Sequence, residues 1–277
     1  MDDDTDENGL TPSVKIQYMP SDDTMFYATV STGFKGGGFN FDAVTPSGAT
    51  EFDPEEAIGY EIGSKLTLLD GSARLNVALF RTEFDDLQVT SINERNTFTF
   101  QNAASAVSQG LELEATWALN EAWTVNLNYM YLDATYDEFE GAPCRVNDPN
   151  ASSRSCTQDL SGEDLQDAPE HSGSLMVEYV QMVSEPWELQ GTLGATYRDE
   201  FSVSGANDFW ADDSLQYFGR IALVNERDNW LIALRGTNLS DEDDVIYRLP
   251  QALFSNKLVT GAILPPRMFS VQVQKNF

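Results

Sequence analysis

The last eleven residues, Arg267-Met-Phe-Ser-Val-Gln-Val-Gln-Lys-Asn-Phe277, constrain the fold more than any other stretch. Phe269, Val271, Val273 and Phe277 share one face of an extended strand, and Ser270, Gln272, Gln274 and Asn276 share the other. Successive side chains alternate across a strand, whereas a helix would scatter these residues around its axis. A final aromatic ring suits a strand that closes a barrel in a lipid bilayer, where rings sit at the water boundary.

The same alternation recurs along most of the chain and predicts about eleven strands. They lie near 13–19, 24–34, 55–69, 72–91, 97–119, 122–136, 170–183, 187–199, 214–225, 229–237 and 267–276. Val107–Leu119 is the clearest, with Val107, Leu111, Leu113, Ala115, Trp117 and Leu119 facing Ser108, Gly110, Glu112, Glu114 and Thr116 across the strand. Short turns are expected at Pro20–Asp23, Asp70-Gly71, Asn120-Glu121, Ser184–Pro186 and Glu226–Asp228, and longer links at 35–54, 137–169, 200–213 and 238–266. Short turns on one rim and long loops on the other belong to an antiparallel transmembrane β-barrel. Trp123, Trp187 and Trp230 each open a strand just after a short turn, as an interfacial aromatic belt with Phe277 would require.

Composition agrees with that class. Mean hydropathy is -0.34, and no run approaches the roughly 18 apolar residues that a membrane helix needs. A net charge of -29 repels phosphate backbones, which argues against nucleic-acid binding. Cys144 and Cys156 stand in a polar segment without metal-ligand spacing, so a loop-closing disulfide is expected and a metal site is not. His171, the only histidine, has no triad or carboxylate pair defined around it, and nothing calls for catalysis or a cofactor. Gly36-Gly37-Gly38 lacks the Lys-Ser/Thr of a phosphate cradle. The acidic opening Met-Asp-Asp-Asp-Thr-Asp-Glu has no secretory character, and an exported barrel needs a signal, so the chain reads as a fragment.

Four stretches carry a family likeness: Tyr27-Ala-Thr-Val-Ser-Thr-Gly-Phe-Lys-Gly-Gly-Gly-Phe-Asn40; Glu56-Ala-Ile-Gly-Tyr-Glu-Ile-Gly-Ser-Lys65 with its continuation to Val89; Gly110–Ala115 with the strand ending at Tyr136; and Asn238-Leu-Ser-Asp241 with the terminus from Pro266. In this order they resemble the TonB-dependent receptors of Gram-negative outer membranes. One departure is Lys275, where such receptors often carry an aromatic residue.

The resemblance implies a plug domain inside a barrel of about 22 strands, so residues 1–277 correspond to the carboxyl-terminal half of the barrel, a partial barrel without the plug. It implies uptake of a scarce, bulky nutrient, most commonly a ferric siderophore, driven by the TonB complex through the missing plug. A passive porin-like or structural barrel is the alternative. Outer-membrane lipid and the barrel-assembly machinery are the further partners implied. Lys65, Arg74, Glu112, Glu114, Arg198, Arg220 and Arg235 are expected to face the lumen, with Arg81 of undecided direction. Phe39, Phe41, Phe209, Trp210 and Tyr247 are loop aromatics for holding ligand, with loop packing as their plainer role.

Overall fold

The computed structural model describes residues 9–45, 48–92, 98–145, 148–149, 156–243, 245–250 and 259–276. Period-two alternation becomes eleven long strands: β1 (Ser13–Ser21), β2 (Thr24–Lys35), β3 (Glu55–Leu68), β4 (Ala73–Ile92), β5 (Phe98–Ala118), β6 (Trp123–Glu138), β7 (His171–Ser184), β8 (Trp187–Arg198), β9 (Ser214–Asn225), β10 (Trp230–Thr237) and β11 (Met268–Lys275). They form one antiparallel eleven-stranded sheet in chain order. Each inner strand pairs with its predecessor and successor. β1 and β11 pair on one side only, so the sheet has two open edges.

Register decides which residues share a face, because directly opposed residues point the same way. One row runs Lys65, Asn76, Glu114, Asn128, Ser174, Thr196, Gln216 across seven strands and is polar throughout. Asn76 donates to Glu114 at 3.1 Å, and Asn128 to Ser174 at 3.1 Å, so the row is stitched by its own side chains. The opposite face carries Ile62–Leu79–Leu111–Tyr131 and Leu189–Leu223–Ile232–Val273 in the same directly opposed fashion. Little covers this apolar face: Ile62 is 56 % exposed, Leu193 61 % and Val271 73 %.

Turns at the short end are closed by side chains. Asn120 accepts from the N–H of Ala122 at 2.9 Å and of Trp123 at 3.1 Å. Asn225 exchanges two 3.0 Å bonds with Asp228 across the β9–β10 turn, the Asx geometry that Asn and Asp favour. Pro20 lies inside β1, which ends at Ser21, two residues later than predicted, and the register shifts between Tyr18 and Ser21. Lacking an N–H, proline is tolerated at such a bulge on an edge strand.

Among the described residues, four short hairpins occupy the long links, all outside the sequence expectation. They pair Gly38–Thr45 with Gly48–Phe52, Ala142–Pro143 with Thr157–Gln158, Phe201–Ser202 with Trp210–Ala211, and Val245–Pro250 with Val259–Ile263. Three of them use strands of two to six residues, too short to show alternation, and Gly38–Thr45, as long as β11, lies in the glycine-rich stretch read as a link.

Candidate functional site: the long-loop end of the sheet

At the long-loop end the polar face changes character. Ala104 and Ala106 of β5 and Ala134 and Tyr136 of β6 are buried there, and Phe139 and Leu160 are each only 1 % exposed. The link after β6 therefore folds back over the sheet. Backbone N–H groups of Gly162 and Leu165 donate to the carbonyls of Tyr136 and Ala134 at 2.7 and 2.9 Å. Cys144 and Cys156 are bonded within this link, closing a loop of twelve residues' separation, with Cα atoms 5.6 Å apart.

The β2–β3 link is fastened by neutral amides. Asn40 mimics a backbone partner for Phe100, giving to its carbonyl at 2.8 Å and accepting from its N–H at 2.7 Å. Asn102 does the same for Asp53, at 2.8 and 2.7 Å, and also reaches the Asp86 carbonyl. Gln88 donates to the carbonyls of Gly36 and Asp53 at 3.0 and 3.1 Å. Phe52 and Phe100 rings, 5.5 Å apart, seal the contact.

The β8–β9 link packs Phe201, Val203 and Ala211 into a small core joined by Phe209. Gln158 ties it to the disulfide loop by donating to the carbonyls of Pro143 and Ala206 at 2.7 and 2.8 Å. Asn207 donates to Glu163 at 3.2 Å. Arg198 ends β8 with its guanidinium 4.5 Å over the Phe201 ring.

The loop aromatics divide among separate hairpins. Phe39 is half-buried in the hairpin lying on β5; Phe209 packs inward on Phe201; Trp210 is 37 % exposed and lies beside the Val245–Pro250 strand. The Phe41 and Tyr247 side chains and all of Phe277 lie outside the described residues. Trp123, Trp187 and Trp230 all stand on the apolar face at the short-turn rim. Trp123 lies 4.6 Å from the Tyr179 ring, and the Lys275 ammonium sits 4.9 Å over Trp230.

Comparison with known proteins follows this geometry. Residues 2–239 match the family described as TonB dependent receptor-like, beta-barrel. The chain belongs to the TonB-dependent receptor family. It is 26 % identical over 241 residues to the "Probable TonB-dependent siderophore receptor PiuA" of Acinetobacter baumannii, covering 84 % of this chain and 30 % of that protein. It is 31 % identical over 178 residues to the "Metal-pseudopaline receptor CntO" of Pseudomonas aeruginosa, covering 62 % of this chain and 21 % of that receptor. Among solved structures it resembles the ferric yersiniabactin uptake receptor FyuA of Yersinia pestis, with a TM-score of 0.75 at 19 % identity, over 96 % of this chain and 37 % of FyuA. The chain thus spans about a third or less of the length of these TonB-dependent receptors.

Within this receptor chain, Lys65, Arg74, Glu112, Glu114, Arg198, Arg220 and Arg235 all lie on the polar face by register. Arg81 lies on the other face, opposite Tyr60 and Gln109. It donates to Glu83 at 2.8 Å and to Gln109 at 2.7 Å, and Gln109 continues to Asp133 at 2.9 Å. Tyr129 and the Nδ1 of His171 share a bond of 2.9 Å on that face too.

Among the described residues, two groups bring three ligand-type atoms within 4.8 Å of one another: Cys144, Asp148 and Cys156; and Glu170, His171 and Asp199. Both sulfurs of the first are spent in the disulfide, which leaves no thiolate for a metal. Asp164 is pushed above the ordinary carboxylate range, first by burial and then by Glu163, Glu170 and Asp133. Asp159 moves below it because Ser161 donates to its carboxylate.

Sequence reasoning missed the amides Asn40, Gln88 and Asn102 and the stacked pair Arg198–Phe201. Each of the amides joins a side chain to a segment remote in the chain, and the Arg198–Phe201 contact spans the end of a strand, so no local period announces either.

Proposed function

We propose that these residues are the carboxyl-terminal half of the barrel wall of a longer receptor that imports a ferric siderophore across the outer membrane. The observation that carries this reading is the two-faced sheet. An uncovered apolar face suits hydrocarbon, and the stitched polar face suits a water-filled lumen. A sandwich would have to bury the apolar face.

In this reading Lys65, Arg74, Glu112, Glu114, Arg198, Arg220 and Arg235 line the lumen, and Trp123, Trp187, Trp230 and Phe277 lie at the membrane interface. Lipid touches the Leu193 side of the sheet, and the barrel-assembly machinery inserts it. The unpaired edges of β1 and β11 are met by the rest of the barrel, because an unmatched backbone edge in lipid costs several kcal/mol per group. The long-loop end meets the medium and captures ligand, with Phe39, Phe41, Trp210 and Tyr247 as apolar contacts. Phe209 supports them from within the Phe201 core. No covalent step is needed: binding occurs in loops and lumen, and the TonB complex, acting on the plug, opens the path.

Names of relatives support a siderophore as cargo, since PiuA is named a siderophore receptor and CntO a metal-pseudopaline receptor. The test is uptake of radioactive iron from a siderophore panel by cells with and without the complete receptor, in iron-limited medium. Uptake lost on deletion and on TonB inactivation is expected. Uptake that survives TonB loss would identify a passive pore, and no change on deletion would exclude iron import.

A further inference from the structure

Arginines on this chain behave differently on its two faces. With 45 acidic residues against 16 basic ones, carboxylates are abundant. Arg81 on the apolar face and Arg267 in the last link each meet one at 2.8 Å. On the polar face, among the described residues, Arg198, Arg220 and Arg235 form no ion pair.

Their placement is more specific than chance scatter. Arg220 and Arg235 are directly opposed on β9 and β10, two like charges that repel unless something negative lies between them. On β9–β11 the polar face supplies no acid: it reads Ser214, Gln216, Phe218, Arg220, Ala222, Val224, then Leu231, Ala233, Arg235, Thr237, then Met268, Ser270, Gln272, Gln274; the next acids of this face stand on β8 and β7, as Glu188 and as Glu178, which shares the Arg220 row through Thr192. Arg220 gives one N–H to Gln190 at 3.3 Å, and Gln190 in turn holds Glu188 at 2.8 Å.

Arg198 stands higher. Its register partner Ser214 is six residues from Arg220, about 20 Å along the strand at roughly 3.4 Å per residue. Its Nε and Nη2 are buried and have no hydrogen-bond partner. Those two atoms form one edge of the guanidinium, the fork that takes a carboxylate through two parallel bonds. The guanidinium carbon lies 4.5 Å over the Phe201 ring, which holds the group at the loop end of the strand.

We infer that the polar face of β8–β10 is a two-level oxyanion site, with the Arg198 fork near the loops and the Arg220–Arg235 pair deeper. Its occupant is a carboxylate or similar oxygen anion. The inference deepens the import reading by giving the lumen wall a preference for anionic cargo. The same chemistry would also be met by a carboxylate from another part of the receptor.

The test titrates the complete receptor carrying this chain, purified in detergent at low ionic strength, with citrate by calorimetry. Citrate binding is expected, weakened at least tenfold by R198Q and by R220Q/R235Q. R198K, which keeps charge and loses the fork, should resemble R198Q, while R220K/R235K should retain binding. Heat-modifiable migration of each variant separates lost affinity from lost fold. If the receptor's own carboxylate fills the site, citrate does not bind, and the R220Q/R235Q receptor admits vancomycin into cells that exclude it with the native one. Equal citrate binding by every variant, or no binding with vancomycin still excluded, would overturn the inference. Citrate binding is read without iron uptake, so its failure is distinct from failure of the import reading.

Discussion

Arg267 and Asp241 clasp the two ends of the last long link. The Arg267 guanidinium donates to Asp241 Oδ2 at 2.8 Å, and its backbone N–H donates to Oδ1 at 3.1 Å. Beside them Asn238 gives to the carbonyls of Glu242 and Pro265 at 2.7 and 3.0 Å, which accounts physically for the Asn238-Leu-Ser-Asp241 stretch.

The two partners should be unequal under mutation. Both side chains are nearly half exposed, so the ion pair alone contributes about 0.5 kcal/mol. Asp241→Ala also strips the acceptor from a backbone N–H, adding about 1 kcal/mol. Hydrogen exchange at Thr237–Ser240 and Met268 should therefore accelerate more for Asp241→Ala than for Arg267→Met. Equal acceleration would mean that the backbone bond is idle.

Neighbouring residues of β6 test the two faces. Leu127 lies on the apolar face, and Asn128 on the polar face, bonded to Ser174. Leu127→Lys should destabilise the complete receptor in lipid vesicles by about 2–4 kcal/mol, and Asn128→Lys by less than about 1 kcal/mol. Urea midpoints in vesicles measure the difference, and similar costs for both would contradict the assignment of hydrocarbon and water.

The isolated chain, exported behind a signal peptide, should give no heat-modifiable, protease-resistant band. The open edges of β1 and β11 carry backbone groups that lipid cannot satisfy. Appearance of such a band would mean that the edges find each other, within one copy or between two.

Acidity should tighten the link after β6. Asp164 is raised in the folded chain, so the fold binds its proton more strongly than the unfolded chain does. Stability must then rise as pH falls through the window just above the ordinary carboxylate range, and decline as pH climbs back. Asp159 works oppositely: its lowered value means stability lost only on further acidification, below that range. Protease resistance of the 139–165 segment should increase on mild acidification, and Asp164→Asn should flatten that response.

Much of the sheet was legible because long strands with two unlike faces leave a period of two in the chain. All eleven strand positions agree with the expectation to within two residues at each end. Pro20 was misread as turn because an edge bulge is invisible without its neighbour. Arg81 could not be oriented by type, since a charge on the apolar face is intelligible only once Glu83 and Gln109 are beside it. The loop hairpins are held by single amides and small clusters such as Tyr136 with Phe139 and Leu160. Most of those contacts, such as Leu160 with Tyr136, join residues far apart in the chain, and short polar segments carry no repeat from which to read them.

The amide clamps of Asn40, Gln88 and Asn102 carry no formal charge, so dissolved ions have little to screen there. A cell washed from brine into fresh water would keep these three fastenings unchanged, while the Lys35–Glu55 pair beside them tightened as the salt left.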